Sequence, residues 1–351
     1  MTKPLLIAGP CAAEDKEQLM TTARLISELL AANGFQLTAF RAGIWKPRSQ
    51  PDGFSGAGEK ALPWLREIQE LFGFEVCVEI AKPEHLEICQ KYGIRNFWVG
   101  ARTTVNPFIV DELAAASKGS DITVMVKNPI VPDLKLWIGS VERFLNSGIR
   151  QVIAIHRGVS EPNENILRNA PLWEMPIELK VQFPDIPLIC DASHIAGDKQ
   201  FLKEISQIAL DFGFDGLMIE THYQPESALS DAKQQITPEE LIVLLKSLHF
   251  KVPITSPEEK MLWKQRNLIE HIDRQISRLL SKRMEAIDAI GKIKHQNNLP
   301  IVDPRQFKKV MERYTSNGLD DPEYHDFIKQ FLDLLHQNSI QRQQKYEPGN
   351  E

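Results

Sequence analysis

The chain has no apolar run approaching the ~18 residues that a bilayer-crossing helix needs. Its first apolar stretch, Leu5-Leu6-Ile7-Ala8-Gly9-Pro10-Cys11, ends just before Glu14 and Asp15. That stretch is too short for the core of a secretion signal and reads as a buried strand. Cysteine is scarce: there are four, at Cys11, Cys77, Cys89 and Cys190, without paired spacing. So sparse a set suits reduced thiols in the cytoplasm better than a disulfide framework. Excess positive charge is missing too, the formal net charge being −6. Nothing therefore draws the whole molecule to nucleic acid or an anionic membrane, and anions must be held by local clusters of Lys and Arg.

What is present is a long alternation. Short β-rich apolar runs follow one another with amphipathic stretches between them: Leu5–Cys11, Leu37–Gly43, Phe74–Ile80, Phe97–Ala101, Ile122–Lys127, Val152–Arg157, Pro187–His194 and Gly216–His222. Several are apolar throughout, as strands covered on both faces should be. Eight βα units within roughly 250 residues predict an α/β fold, a (β/α)8 TIM barrel. The polar residues fall at one end of the runs: Cys11, Arg41, Glu79, Lys127, Arg157, His194 and Glu220 each follow an apolar core. The C-terminal ends of barrel strands are where active sites are built.

After Phe250 the pattern changes. Lys251-Val252-Pro253-Ile254-Thr255-Ser256-Pro257 reads as a connector, and Ser256 with Glu259 as a capping-box start. From about 258 to 296 there is no proline, and Leu262, Ile269, Ile276 and Ile290 recur at heptad spacing with Ile272, Leu279 and Ile293. This predicts one long helix, whose apolar seam needs more partners than the two shorter segments at about 304–316 and 322–345 supply. Dimerisation through this region is expected. The layout is a barrel over 1–250, a linker at 251–258, a smaller all-α helical domain over 259–345 and a disordered tail at 346–351.

Cys11, His194, Glu220 and Asp231 come from strands 1, 7 and 8 and the loop after strand 8, which adjoin once a barrel closes. Each alone has a structural reading: a core thiol, a satisfied histidine, a salt-bridge partner, a turn cap. Together they form a mixed S, N and O set that suits Mn, Fe, Co or Zn better than Mg or Ca. Arg41, Lys46, Arg48, Arg102, Lys127 and Arg157 crowd the same mouth. Guanidinium forks and ammonium groups are the usual partners of phosphate and carboxylate.

The stretches Ala8-Gly9-Pro10-Cys11, Lys46-Pro47-Arg48-Ser49, Gly100-Ala101-Arg102, Lys127, His156-Arg157-Gly158, Asp191-Ala192-Ser193-His194, Glu220-Thr221-His222 and Ala228-Leu229-Ser230-Asp231 resemble the ordered motifs of 3-deoxy-D-arabino-heptulosonate 7-phosphate (DAHP) synthases. The resemblance spans residues 1 to 250 and is to the short form of the I-beta branch. It implies a metal on Cys11, His194, Glu220 and Asp231. Phosphoenolpyruvate would lie on Arg102, Lys127 and Arg157, with Arg41 and Lys46 near its reacting end. Erythrose 4-phosphate would lie on Arg48 and Ser49, and Lys46 would be the proton donor. The rival within the fold is 3-deoxy-manno-octulosonate 8-phosphate synthase, from which the Lys46-Pro47-Arg48-Ser49 tetrad separates this chain.

In the helical part, Arg283 interrupts the apolar seam, and a buried cation needs an anionic partner. Register setting in a coiled coil is the plain reading. Lys294 lies eleven residues further on, about 16 Å along the axis, while Arg266 is too distant to join them from the same helix. It could reach from an antiparallel partner. Arg266 to Asp273, Arg283, Gly291-Lys292-Ile293-Lys294, Asp303-Pro304 and Ser339 to Gln343 resemble the all-helical chorismate mutase family. That resemblance implies a carboxylate clamp of Arg283, Lys294 and a second protomer's Arg266. Lys294 and Gln343 would act on the ether oxygen, and Asp303 and Ser339 would take the remaining polar groups. Gln306 and Phe307 depart from the family pattern and speak for a non-catalytic chorismate or prephenate sensor as the first alternative; a plain dimerisation tail is a second. Feedback by prephenate, and a homodimer or tetramer, are further expectations.

Overall fold

The computed structural model describes residues 4–46, 53–161, 164, 166–250, 257–301 and 322–346. The expected linker, the capping-box serine, the segment at 304–316 with Gln306 and Phe307, and nearly all of the tail lie outside the described residues.

Strands and helices alternate in the first unit: β1 (Leu5–Gly9), α1 (Lys16–Ala32), β2 (Ala39–Arg41), α2 (Leu62–Phe72), β3 (Val76–Ile80), α3 (Pro83–Lys91), β4 (Asn96–Val99), α4 (Ala101–Thr104), α5 (Pro107–Ala116), β5 (Thr123–Lys127), α6 (Leu134–Asn146) and β6 (Gln151–His156). They continue with α7 (Glu174–Gln182), β7 (Leu188–Asp191), α8 (Ala192–Ala196), α9 (Leu202–Asp211), β8 (Gly216–Glu220) and α10 (Pro238–Ser247). All eight strands are parallel and close into a barrel, β1 pairing with both β2 and β8. The eight-strand expectation holds, with strand ends trimmed. Cys11 lies two residues beyond β1, and His194 sits in the short helix α8 rather than at a strand end.

Strand periodicity explains why the polar residues gather. Ile7, Ala39, Cys77, Trp98, Met125, Ile153, Ile155, Ile189 and Met218 form a buried cluster drawn from strands alone, the packed interior of the barrel. The opposite face of each strand packs against helices in the larger cluster, where Leu6, Phe40, Val78 and Val124 meet Leu19, Leu65 and Val141. Successive side chains alternate, so the residue two beyond an interior apolar residue also points inward. That rule carries Ala39 to Arg41, Cys77 to Glu79, Met125 to Lys127, Ile155 to Arg157, Ile189 to Asp191 and Met218 to Glu220. A ring of charge thus caps an apolar plug. Gly9 has φ 140°, and a Cβ there would strike the backbone carbonyl of Arg41, so β1 and β2 can approach closely only at a glycine.

Among the described residues no helix is long and apolar enough to cross a membrane. All four cysteines are free and buried.

The second compact unit comprises residues 269–351. Helix α11 (Pro257–Gln296) runs for 40 residues, about 60 Å, and α12 (Pro322–Gln344) is its described partner. Ile287, Ser339 and Gln343 are buried. Arg342 donates two 2.7 Å hydrogen bonds to Asp288, and Gly291 leaves room for the Tyr346 ring. Ile269, Ile272, Ile276, Leu279, Ile290 and Ile293 are exposed along α11 in the single chain.

Candidate functional site

At the C-terminal end of the barrel, donor atoms of Cys11, Glu220 and Asp231 lie within 4.8 Å of one another. Cys11 Sγ donates to Asp231 Oδ2 at 2.9 Å, and its backbone N–H is fixed by Gln235 Oε1 at 2.9 Å. Asp231 has φ 49°, a left-handed conformation that strains any residue with a Cβ. His194 stands beside the trio rather than in it: its Nδ1 is 3.8 Å from Glu220 Oε1 and 2.9 Å from Asp191 Oδ2. Burial, outweighing Asp191, lowers the His194 imidazole to about 4, so it is neutral and fit to be a ligand at pH 7.

Cations surround these donors. Lys46 Nζ donates to Cys11 Sγ and lies 3.3 Å from Asp231 Oδ2. Burial alone would lower the Lys46 pKa, but Cys11, Glu220 and Asp231 raise it overall, so the ammonium persists. Arg41 Nη2 is 3.0 Å from Glu220 Oε1, and both side chains are withdrawn from solvent. Arg41 also lies over the Trp98 ring, 5.1 Å from its centroid, with Lys127 Nζ 5.6 Å away. Lys127 pairs with Asp191 at 2.7 Å. Arg157 is buried, held by Asn169 Oδ1 at 2.8 Å, and burial lowers its pKa to about 10. Burial pushes the Cys11 thiol up to about 12, with Glu220 adding to the shift.

The donors fit a divalent metal ion. Glu220 Oε1 is buried and receives no aligned hydrogen bond among the described residues, an acceptor that a cation would satisfy. The Cys, His and carboxylate mix is that of borderline transition metals. Arg41 Nη1 is likewise buried without an acceptor among the described residues and suits an anion beside such an ion.

Arg102, in α4, is exposed on the same side of the barrel. Arg48 and Ser49 lie outside the described residues. Sequence reasoning missed Trp98, Arg168, Gln234 and Gln235, and gave Glu79 and Asp191 no role. Trp98, Glu79 and Asp191 were open to inference, since each is inward-facing by strand alternation. Arg168, Gln234 and Gln235 stand in irregular segments that carry no periodic signal.

In the helical unit, Arg283 is partly buried, and its Nη1 has no hydrogen-bond partner among the described residues; burial lowers its pKa. Gln343 Oε1 is also buried and, among the described residues, unpartnered. Ser339 donates to Leu335 O at 2.6 Å, and Lys294 Nζ donates to Ile301 O at 2.6 Å. The Arg266 side chain and Asp303 lie outside the described residues.

The family model described as the DAHP synthetase I family matches residues 2–251, and the one described as chorismate mutase type II matches residues 265–344. A phospho-2-dehydro-3-deoxyheptonate aldolase of Thermotoga maritima is 31% identical over 231 residues, 66% of this chain and 64% of that protein. A 2-dehydro-3-deoxyphosphooctonate aldolase of Geotalea uraniireducens is 27% identical, over 70% of this chain and 92% of that one. The crystal structure of a DAHP synthase from Thermotoga maritima superposes with a TM-score of 0.60 at 30% identity, covering 70% of this chain and 68% of that one.

Proposed function

Since the chain belongs to the DAHP synthetase I family and carries a chorismate mutase type II match behind the barrel, we propose that it is bifunctional. The barrel condenses phosphoenolpyruvate with erythrose 4-phosphate to DAHP and phosphate, and the helical domain rearranges chorismate to prephenate. The observation that carries the first half is the buried ring of Arg41, Lys127 and Arg157 beside the Cys11, Glu220 and Asp231 donors. Two multiply charged anions repel each other, and fixed cations in a site shielded from water offset that repulsion.

In this reading Lys127, Arg157 and Arg102 hold the phosphate and carboxylate of phosphoenolpyruvate, while Arg48 and Ser49 hold the phosphate of the aldose. Carbon 3 of phosphoenolpyruvate attacks the aldehyde carbon, water adds at carbon 2, and phosphate departs from the resulting hemiketal. Lys46, kept protonated by its anionic neighbours, supplies the proton to the developing alkoxide. Cys11, His194, Glu220 and Asp231 would hold the ion, of Mn, Co, Fe or Zn type, which would supply Lewis acidity toward the aldehyde oxygen.

For the mutase half, the buried unpartnered Arg283 Nη1 and Gln343 Oε1 support a polar ligand between α11 and α12. Arg283 and Lys294, with Arg266 from a partner subunit, clamp the carboxylates; Lys294 and Gln343 face the ether oxygen, and Asp303 and Ser339 take the other polar groups. The exposed apolar line on α11 supports a homodimer, or a tetramer built from it. Prephenate bound there would inhibit the synthase. Four free buried thiols suit the cytoplasm.

Two other readings have support. The weaker likeness to 2-dehydro-3-deoxyphosphooctonate aldolases, at 27% and 26% identity, is what supports arabinose 5-phosphate as an alternative aldose. Gln306 and Phe307 favour a helical domain that binds without turnover. One assay set separates them: metal-stripped and metal-restored protein with phosphoenolpyruvate and either aldose, and chorismate loss measured alongside. Turnover of arabinose 5-phosphate alone overturns the synthase assignment, and absence of chorismate loss with retained binding selects the sensor.

A further inference from the structure

Each carboxylate of the donor trio is divided between two tasks. Asp231 turns Oδ2 toward Cys11 Sγ and gives Oδ1 to Arg168 Nη1 at 3.0 Å. Glu220 turns Oε1 toward Arg41 and His194 and gives Oε2 to Gln234 Nε2 at 2.6 Å. The two outward oxygens are joined, because Arg168 Nη1 also donates to Gln234 Oε1 at 2.6 Å. The chemistry fixes every direction in this bridge. A guanidinium can only donate and an ionised carboxylate can only accept, so the Gln234 amide has one orientation that satisfies both.

The segment carrying Arg168 is anchored to the same centre. Arg168 and Asn169 donate their backbone N–H groups to Ala196 O and Ile195 O at 3.3 Å, on the helix that bears His194. Asn169 Nδ2 donates to His194 O at 2.6 Å, while its Oδ1 accepts from Arg157. Gly197 lacks the Cβ that would strike Arg168 Cβ, which allows this close approach. Two consecutive residues of one loop therefore touch the segments of His194, Asp231 and, through Gln234, Glu220.

We propose that Arg168 and Gln234 are positioning residues for the metal centre: their bridge holds Asp231 and Glu220 with one oxygen each facing the ion, against the strained left-handed backbone of Asp231. The proposal rests on the reading that Cys11, Glu220 and Asp231 bind a divalent metal. Neither residue touches a reacting atom. Losing the bridge lets each carboxylate rotate, and the ion is then held less tightly and in altered geometry.

The test is a titration of metal-stripped full-length protein with Co2+. It reads both the dissociation constant, by chelator competition, and the thiolate-to-cobalt charge-transfer band, with circular dichroism of the stripped proteins as a fold check. Arg168→Met and Gln234→Leu should each weaken binding on the order of ten- to a hundredfold and shift the band; Arg168→Lys should recover part of the loss. Folded variants that bind Co2+ within about twofold of the parent, with an unchanged band, overturn the bridge while leaving the metal site standing. A parent protein whose band is absent, or survives Cys11→Ser, overturns the metal site and the bridge with it. Should Arg168→Met fail to fold, Gln234→Leu alone decides, since it cuts the link to Glu220 and leaves the Arg168 to Asp231 contact in place.

Discussion

Arg41 Nη2 and Glu220 Oε1 meet at 3.0 Å with side-chain exposures of 1% and 0%, so one buried ion pair joins the inward ring of cations to the carboxylates of the candidate metal centre. Removing one member of such a pair leaves the other charge unsatisfied, which typically costs about 3–5 kcal/mol. Arg41→Leu is therefore expected to lower the urea midpoint of the metal-stripped barrel substantially. Saturating Mn2+ should return part of that loss, because the ion supplies the positive charge that Glu220 has lost. A midpoint that metal does not move in the variant would refute the link.

Lys46→Met removes the ammonium that sits between Cys11 and Asp231. The two consequences run in opposite directions. Metal binding should tighten, since no protein cation then competes for the sulfur and the carboxylate, while kcat should fall by about 10²–10⁴ with the loss of a proton donor. Chelator competition and steady-state rates at saturating metal read the two effects separately. Weaker metal binding in Lys46→Met would contradict this account.

Arg283→Ala should leave the synthase rate unchanged and reduce kcat/KM for chorismate at least about a hundredfold, the usual cost of losing one charged contact to a transition state. Absorbance loss of chorismate measures it. Equal turnover in variant and parent would assign Arg283 to helix register alone.

His156 gives the barrel an acid sensitivity. Burial, partly offset by its bond to Pro171 O, lowers its folded pKa to about 3, whereas the unfolded chain protonates near 6.5. Between those values the unfolded state holds the extra proton, so stability rises with pH up to about 6.5 and falls below it by at most about 1.4 kcal/mol per unit. Among Trp137, Trp173 and Phe214 an aromatic replacement can pack. His156→Phe should show a shallower loss of urea midpoint between pH 6.5 and 4.5, and parallel curves would remove His156 as the cause.

Deletion of everything after Phe250 should abolish any inhibition of the synthase by prephenate while erythrose 4-phosphate turnover persists. Inhibition that survives the deletion would move the regulatory site into the barrel.

The barrel was legible in the sequence because parallel strands covered on both faces read as apolar runs, and their polar ends fell on one side. Arg41, Lys127 and Glu220 announced themselves in this way. Their neighbours in space did not. Arg168 and Gln234 touch donors from other loops, and Arg168 is 63 residues from the Asp231 it binds, a relationship fixed only by barrel closure. His194 was assigned to a strand because its run is apolar up to Asp191. The Asp191 side chain instead caps a new helix by accepting from the His194 N–H, which ends the strand three residues before His194. Asp231 gave no sign of its backbone conformation, which tertiary contacts impose.

Cys11 and Asp231 meet although they stand 220 positions apart, the first from just beyond the opening strand and the second from the loop after the closing one. During synthesis the early half of this pair emerges long before the later half exists. A nascent chain still tethered at β7 can present a thiol but no complete cradle for an ion, so on the proposed reading metal capture would report a sheet translated through β8 and sealed, whatever remains to be made after it.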